Sequence, residues 1–131
     1  MGTQYLIDTN TVIEFLGGTL PPGGSIWVQN VINNNSHYLS VINQIELLSY
    51  NGSASENQIL LDFIAATNVL SLTDDVVQKT INLRKQYKIK LPDAIIAATA
   101  LVYDLTLVTR NISDFQKIES LVCINAHEQV E

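Results

Sequence analysis

The sequence predicts an α/β fold: a mostly parallel sheet with helices covering both faces. Three observations point there. Five short apolar runs (QYLID, HYLSVI, NVLSL, LTLVT and VCINA) are spaced along the chain. Segments with helical spacing and helical start and stop signals separate them. Strand and helix therefore alternate throughout, the pattern of a parallel sheet buried on both sides. The chain has 131 residues, enough for one compact domain with its own core, and residues 1–131 are read as a single domain.

QYLID is a short buried strand ending at Asp8, and Thr9 or Asn10 caps the helix TVIEFLGG, which Gly17 and Gly18 terminate. GGTLPPGG is the clearest breaker and marks a loop, either a simple connection or part of a partner surface. SIWVQNVINNN then reads as a helix and HYLSVI as a strand. NQIELLSY continues into a helix carrying Glu46, and NGSAS is a loop or helix start. SENQILLDFIAATN places Ile59, Leu60, Phe63 and Ile64 at helical spacing before the strand NVLSL. TDDVVQKTINLRKQYKI opens with Thr73 as N-cap and two acids, and closes with bases, so both ends match the helix dipole. LPDAIIAATALVYD has Pro92 in its first turn and an Ala-rich face suited to close packing on a sheet. LTLVT is a strand, SDFQKI a short helix and VCINA the last strand.

Several classes are disfavoured by composition. The single Cys123 rules out an intramolecular disulfide, and its apolar surroundings make it a small core residue. His37 and His127 have no companion ligand at zinc spacing, which leaves them structural or surface roles. There is no secretory segment and no long apolar span, so a soluble cytoplasmic protein without a membrane partner is expected.

The net charge of −6 matters less than its distribution. Every Lys and Arg lies between Lys79 and Lys117, whereas the first 78 residues hold seven acids and no base. Arg84, Lys85, Lys88 and Lys90 crowd together just before Asp93. They are either a solvated helix end that suits the dipole or a basic patch guiding a polyanion. Arg110 is a further candidate phosphate contact, and Lys117 lies close behind it in sequence. Glu14 is read as facing solvent or a partner.

Four acids stand out: Asp8, Glu46, Asp93 and Asp114, each in a mostly apolar neighbourhood. Burying such a group is unfavourable unless it is paired or holds a cation. Asp8 ends a strand, Asp114 closely follows the strand ending at Thr109, and Asp93 opens a helix. These positions converge beyond the carboxyl edge of an open α/β sheet, and Glu46 can reach that edge from its helix. Two unit charges about 5 Å apart repel by roughly 3 kcal/mol at an effective dielectric near 20. Four gathered carboxylates therefore call for a counter-charge, and an all-oxygen set suits a hard divalent cation such as Mg²⁺ or Mn²⁺.

The segments LIDTN, the Glu46 helix, LPDAIIAATAL and LVTRNISDF, in this order and spacing, resemble a PIN domain. The closest likeness is to the small stand-alone VapC-type toxins of VapBC toxin–antitoxin pairs. The resemblance implies a three-layer α/β/α fold and a Mg²⁺- or Mn²⁺-dependent endoribonuclease. Asp8, Glu46, Asp93 and Asp114 match the family's catalytic and metal-binding acids; Thr9 or Asn10, Thr109 and Asn111 match its supporting polar positions. It further implies an RNA substrate, a homodimer and a small VapB-like antitoxin. Arg84, Lys85, Lys88, Lys90 and Arg110 are the candidate RNA contacts. Two alternatives keep the fold: an RNA-processing nuclease outside the toxin setting, and a non-catalytic binding module. A haloacid-dehalogenase-type phosphatase would need a second Asp where this chain has Asn10.

Overall fold

Every predicted strand is present, and all are short: β1 (Tyr5–Ile7), β2 (His37–Ser40), β3 (Asn68–Leu70), β4 (Thr106–Val108) and β5 (Cys123–Ile124). The structure, a computed structural model, describes residues 2–130. The strands form one sheet in the order β3-β2-β1-β4-β5, with every neighbouring pair parallel. Chain order runs outward from β1 to one edge, then returns to β4 on its other side. The switch point therefore lies between β1 and β4, where open α/β sheets form their functional crevice. Its register pairs Leu6 with Leu107 and Ile7 with Val108.

The helices are α1 (Thr9–Leu16), α2 (Pro22–Asn33), α3 (Val41–Leu48), α4 (Ala54–Ala65), α5 (Asp74–Gln86), α6 (Leu91–Val102) and α7 (Ile112–Phe115). They cover both faces of the sheet. Successive strand side chains point to opposite faces, so Leu6 and Leu107 join one core with Val76, Leu83, Ile96 and Phe115. Ile7 and Val108 join the other with Val12, Val28, Leu39, Leu47 and Leu60. Ala94, Ala97, Ala98 and Ala100 of α6 are all buried, as their small size allows.

Three boundaries differ from the sequence expectation, each for a local reason. Asp8, not Thr9 or Asn10, caps α1, because its carboxylate accepts the Thr9 amide. α2 starts at Pro22 rather than Ser25, so the last three residues of the expected GGTLPPGG loop are helical. Proline suits a first helical position, and Gly24 is required because a Cβ there would run into the Ala126 carbonyl. β2 stops at Ser40, whose side chain caps α3 in a capping box with Asn43, drawing Val41 and Ile42 into the helix. His37 is buried against Thr67, and burial pushes its pKa down, consistent with a structural role. Cys123 is half-buried, and burial raises its thiol pKa.

Candidate active site

Asp8 leaves β1 at the switch point, with its amide bonded to the Val108 carbonyl of β4 at 2.9 Å. Both carboxylate oxygens are engaged. Oδ1 accepts the Thr9 amide at 2.9 Å, and Oδ2 accepts the Thr109 hydroxyl at 2.9 Å. Thr109 is fully buried, and its Oγ1 also accepts the Asn111 amide at 3.1 Å. A single hydroxyl thus ties the first acid to the turn that leads into α7 and Asp114.

Thr9 links the first acid to the second. Its amide donates to Asp8, and its hydroxyl donates to Glu46 Oε1 at 2.6 Å. The same hydroxyl accepts from Asn43 Nδ2 at 3.1 Å, while Asn43 Oδ1 accepts the Ser40 amide at 2.9 Å. Asn43 has no exposed surface, so its fixed amide orients Thr9, and Thr9 in turn holds Glu46.

Electrostatics show that the acids are close. Burial raises the Asp8 carboxyl above its ordinary range, with further upward pushes from Glu46 and Asp93; the bonds from Thr109 and Thr9 oppose them. Asp93, in the first turn of α6, is raised by burial, then by Asp114 and Glu46, and is eased by Lys90. Glu46 bonds the residue next to Asp8, and Asp93 and Asp114 line one cleft, so the four predicted acids gather along one edge of the sheet. Among the described residues, no ion pair involves any of them. Nor are three His, Cys, Asp or Glu side chains already closed into a metal cage there.

The supporting positions divide. Of Thr9 and Asn10, Thr9 bonds to the acids and Asn10 is exposed. Asn111 occupies the N-cap position of α7, contributing its backbone amide rather than a side-chain cap. Arg84 and Lys85 lie exposed in the last turn of α5, whereas Lys88 and Lys90 border a cleft shared with Asp93 and Asp114. Arg110 donates to Glu14 Oε2 at 3.1 Å.

Two features were missed in the sequence. Asn43 had a readable signal, the S-x-x-N spacing from Ser40, three residues before Glu46 on the same helix. Glu14 is not solvent-facing: its Oε2 binds Arg110 and also lies 3.0 Å from His127 Nε2. Its other oxygen is buried without a partner. That cluster pins the β4–α7 turn and the 3-10 turn Ala126–Glu128 to α1. Its partners lie about a hundred residues away in sequence, and no local pattern announces them.

Comparison with known proteins gives a consistent result. A family model for the PIN domain matches residues 5–121. A chain of a toxin–antitoxin complex from Klebsiella pneumoniae is similar at 26% identity with a TM-score of 0.70, covering 94% of this chain and 98% of that one. VapBC2 from Rickettsia felis, solved bound to a promoter DNA fragment, is similar at 26% identity with a TM-score of 0.78 and the same two coverages, 94% and 98%. FitAcB from Neisseria gonorrhoeae, at 23% identity and a TM-score of 0.78 over 95% of this chain and 99% of that one, is alike in fold. No curated protein sequence matches significantly.

Proposed function

The chain belongs to the PIN domain family, and on that footing we propose that it is a divalent-metal-dependent endoribonuclease, the toxin of a type II toxin–antitoxin pair. The observation that carries this reading is the gathering of Asp8, Glu46, Asp93 and Asp114 at the β1/β4 switch point without an ion-paired base. The set fits a hard cation: every donor is oxygen, and two of the carboxyls are raised by burial and by neighbouring acids.

Asp8 and Asp93 would be the primary ligands of Mg²⁺ or Mn²⁺. Glu46, steadied by Thr9, would bind the metal directly or orient the attacking water. Asp114 would complete the shell or hold a second ion. When bound, the metal supplies an activated water at neutral pH and draws charge from the phosphoryl oxygens. Thr109 and Thr9 each occupy one oxygen of Asp8 and so fix its plane; a carboxylate has about four acceptor sites, which leaves capacity for a ligand. Asn43 holds the Thr9 hydroxyl in the rotamer that serves Glu46.

An antitoxin partner is supported by the solved neighbours, which include toxin–antitoxin complexes. Ile45 and Leu48, one turn apart on α3, are both exposed and give an apolar surface that a partner or second copy would cover. Residues 1–131 act as one nuclease domain, working as a homodimer on cytoplasmic RNA. Among the described residues, no helix is long and apolar enough to cross a membrane.

The test is incubation of purified protein with total RNA, with Mg²⁺ or Mn²⁺, with chelator, and as Asp93→Asn. Discrete cuts that vanish with chelator and in the variant are expected. Neither cutting nor metal binding by folded native protein would leave a non-catalytic binding module in place of the nuclease.

A further inference from the structure

Seven Lys and Arg side chains are available to hold a polyanionic substrate, and the fold sorts them into groups. Lys79, Arg84 and Lys85 lie exposed on α5. Arg110 is engaged by Glu14. The remaining three, Lys88, Lys90 and Lys117, border one cleft of about 190 Å³ whose other lining is Ile89, Asp93 and Asp114.

We propose that this cleft is a phosphodiester subsite, holding the RNA backbone phosphate adjacent to the one that is cut. The lysines form its wall and two of the proposed catalytic carboxylates form its floor. The proposal rests on the nuclease reading above and gives that site its substrate grip.

Charge is the first argument. Ammonium and carboxylate groups share this cleft, yet among the described residues none of the three lysines is ion-paired with Asp93 or Asp114. Lys90 eases Asp93 without closing an ion pair, so the lysines and carboxylates each remain open to a ligand of opposite sign. Position is the second. Lys117, just beyond α7, reaches across to donate to the Lys88 carbonyl at 2.7 Å. That bond holds its ammonium over the cleft, and two N–H groups remain for an anion. Lining is the third. No aromatic side chain borders the cleft, so it offers no stacking platform for a base. It suits the sugar–phosphate backbone, and its volume equals roughly six waters at about 30 Å³ each. The first 78 residues contain no base, so they offer no rival wall of lysine or arginine.

The experiment measures binding of a fluorescently labelled ten-nucleotide single-stranded RNA by anisotropy, in chelator so that no turnover occurs. It compares native protein with the triple variant Lys88→Gln/Lys90→Gln/Lys117→Gln. The charge-matched control is Gln29→Glu/Gln78→Glu/Lys79→Gln, which lowers the net charge by the same three units at exposed positions outside the cleft. Charge-assisted hydrogen bonds predict a loss of about tenfold or more for the cleft variant. Its salt slope should become shallower by about 0.7 for each phosphate that the variant no longer neutralises. The control should change by less than about twofold, as long-range screened charge would. Replacing the three lysines by arginine should restore binding, which separates lost charge from lost folding. Equal weakening by both triple variants, no weakening by the cleft variant, or no binding by native protein would overturn the subsite. Cleavage by the same variants keeps the two ideas apart. A native protein that cuts RNA in Mn²⁺, with KM unchanged in the cleft variant, removes the subsite and leaves the nuclease. Lysine-dependent binding without cutting in any metal removes the nuclease and leaves the subsite.

Discussion

Replacing Thr109 by valine tests how the first acid is held. The side chain is fully buried, donates to Asp8 Oδ2 at 2.9 Å and accepts the Asn111 amide at 3.1 Å. Valine keeps the shape and removes both bonds. A hydrogen bond to a charged group contributes about 1.5–3 kcal/mol. The Asn111 amide lies in an exposed turn where water can replace the lost acceptor, so the bond to Asp8 dominates. A loss of about 2 kcal/mol is expected, lowering Tm by roughly 8 °C at about 4 °C per kcal/mol for a chain of this length. The Thr109 bond is also the main influence that lowers the Asp8 carboxyl against burial. Without it the carboxyl rises further and less of it is ionised at mildly acid pH. The acid limb of the cleavage profile should therefore move to higher pH. Thr109→Ser restores the hydroxyl and should restore the limb. The assays are thermal unfolding and RNA cleavage across pH. An unchanged midpoint and limb in Thr109→Val, or a serine variant that behaves like valine, would refute the reasoning.

Other outcomes follow from the same geometry. Asp8 and Asp93 have folded pKa values above the ordinary 3.8, so their favourable contribution to folding is complete below that value and is lost as pH rises through the raised one. In chelator at neutral pH, Asp93→Asn should therefore melt above the native protein, since its carboxylate is raised by burial and by neighbouring acids and gives up no side-chain hydrogen bond. The difference should shrink toward acid pH, and Mn²⁺ should stabilise the native protein more than the variant. Gly24→Ala forces a methyl against the Ala126 carbonyl and should lose about 2–3 kcal/mol in denaturant unfolding. Glu14→Gln weakens the link to Arg110, whose side chain is 60% exposed. The resulting stability loss should be about 1 kcal/mol or less and should diminish at high salt.

Much of this molecule was legible because its signals are local. Thr73 with two following acids announced α5, and Ser53 with Glu56 forms a capping box at the predicted start of α4. The Ala-rich run of α6 predicted burial at close packing, and the structure buries each of those alanines. The four acids were visible as costly charges in apolar settings, and their shared edge follows from parallel topology. The connections between them were hidden. Thr9 serves Asp8 through its backbone and Glu46 through its hydroxyl, a choice that depends on how α1 and α3 meet. Glu14 was misread because Arg110 and His127 reach it only after the sheet has formed. The helical start of α2 was obscured by prolines and glycines that usually mark loops; only the approach of Ala126 explains Gly24.

The central claim is that these four carboxylates hold the metal with which the protein cuts RNA. Its most direct test is a Mn²⁺ titration read in two ways on one preparation: bound Mn²⁺ by electron paramagnetic resonance, and the rate of cutting of an RNA that native protein cleaves. Occupancy and rate should rise together with the same half-saturation, and Asp93→Asn should lose both while remaining folded. Cutting without bound Mn²⁺, or equal Mn²⁺ binding by native protein and Asp93→Asn, would contradict it.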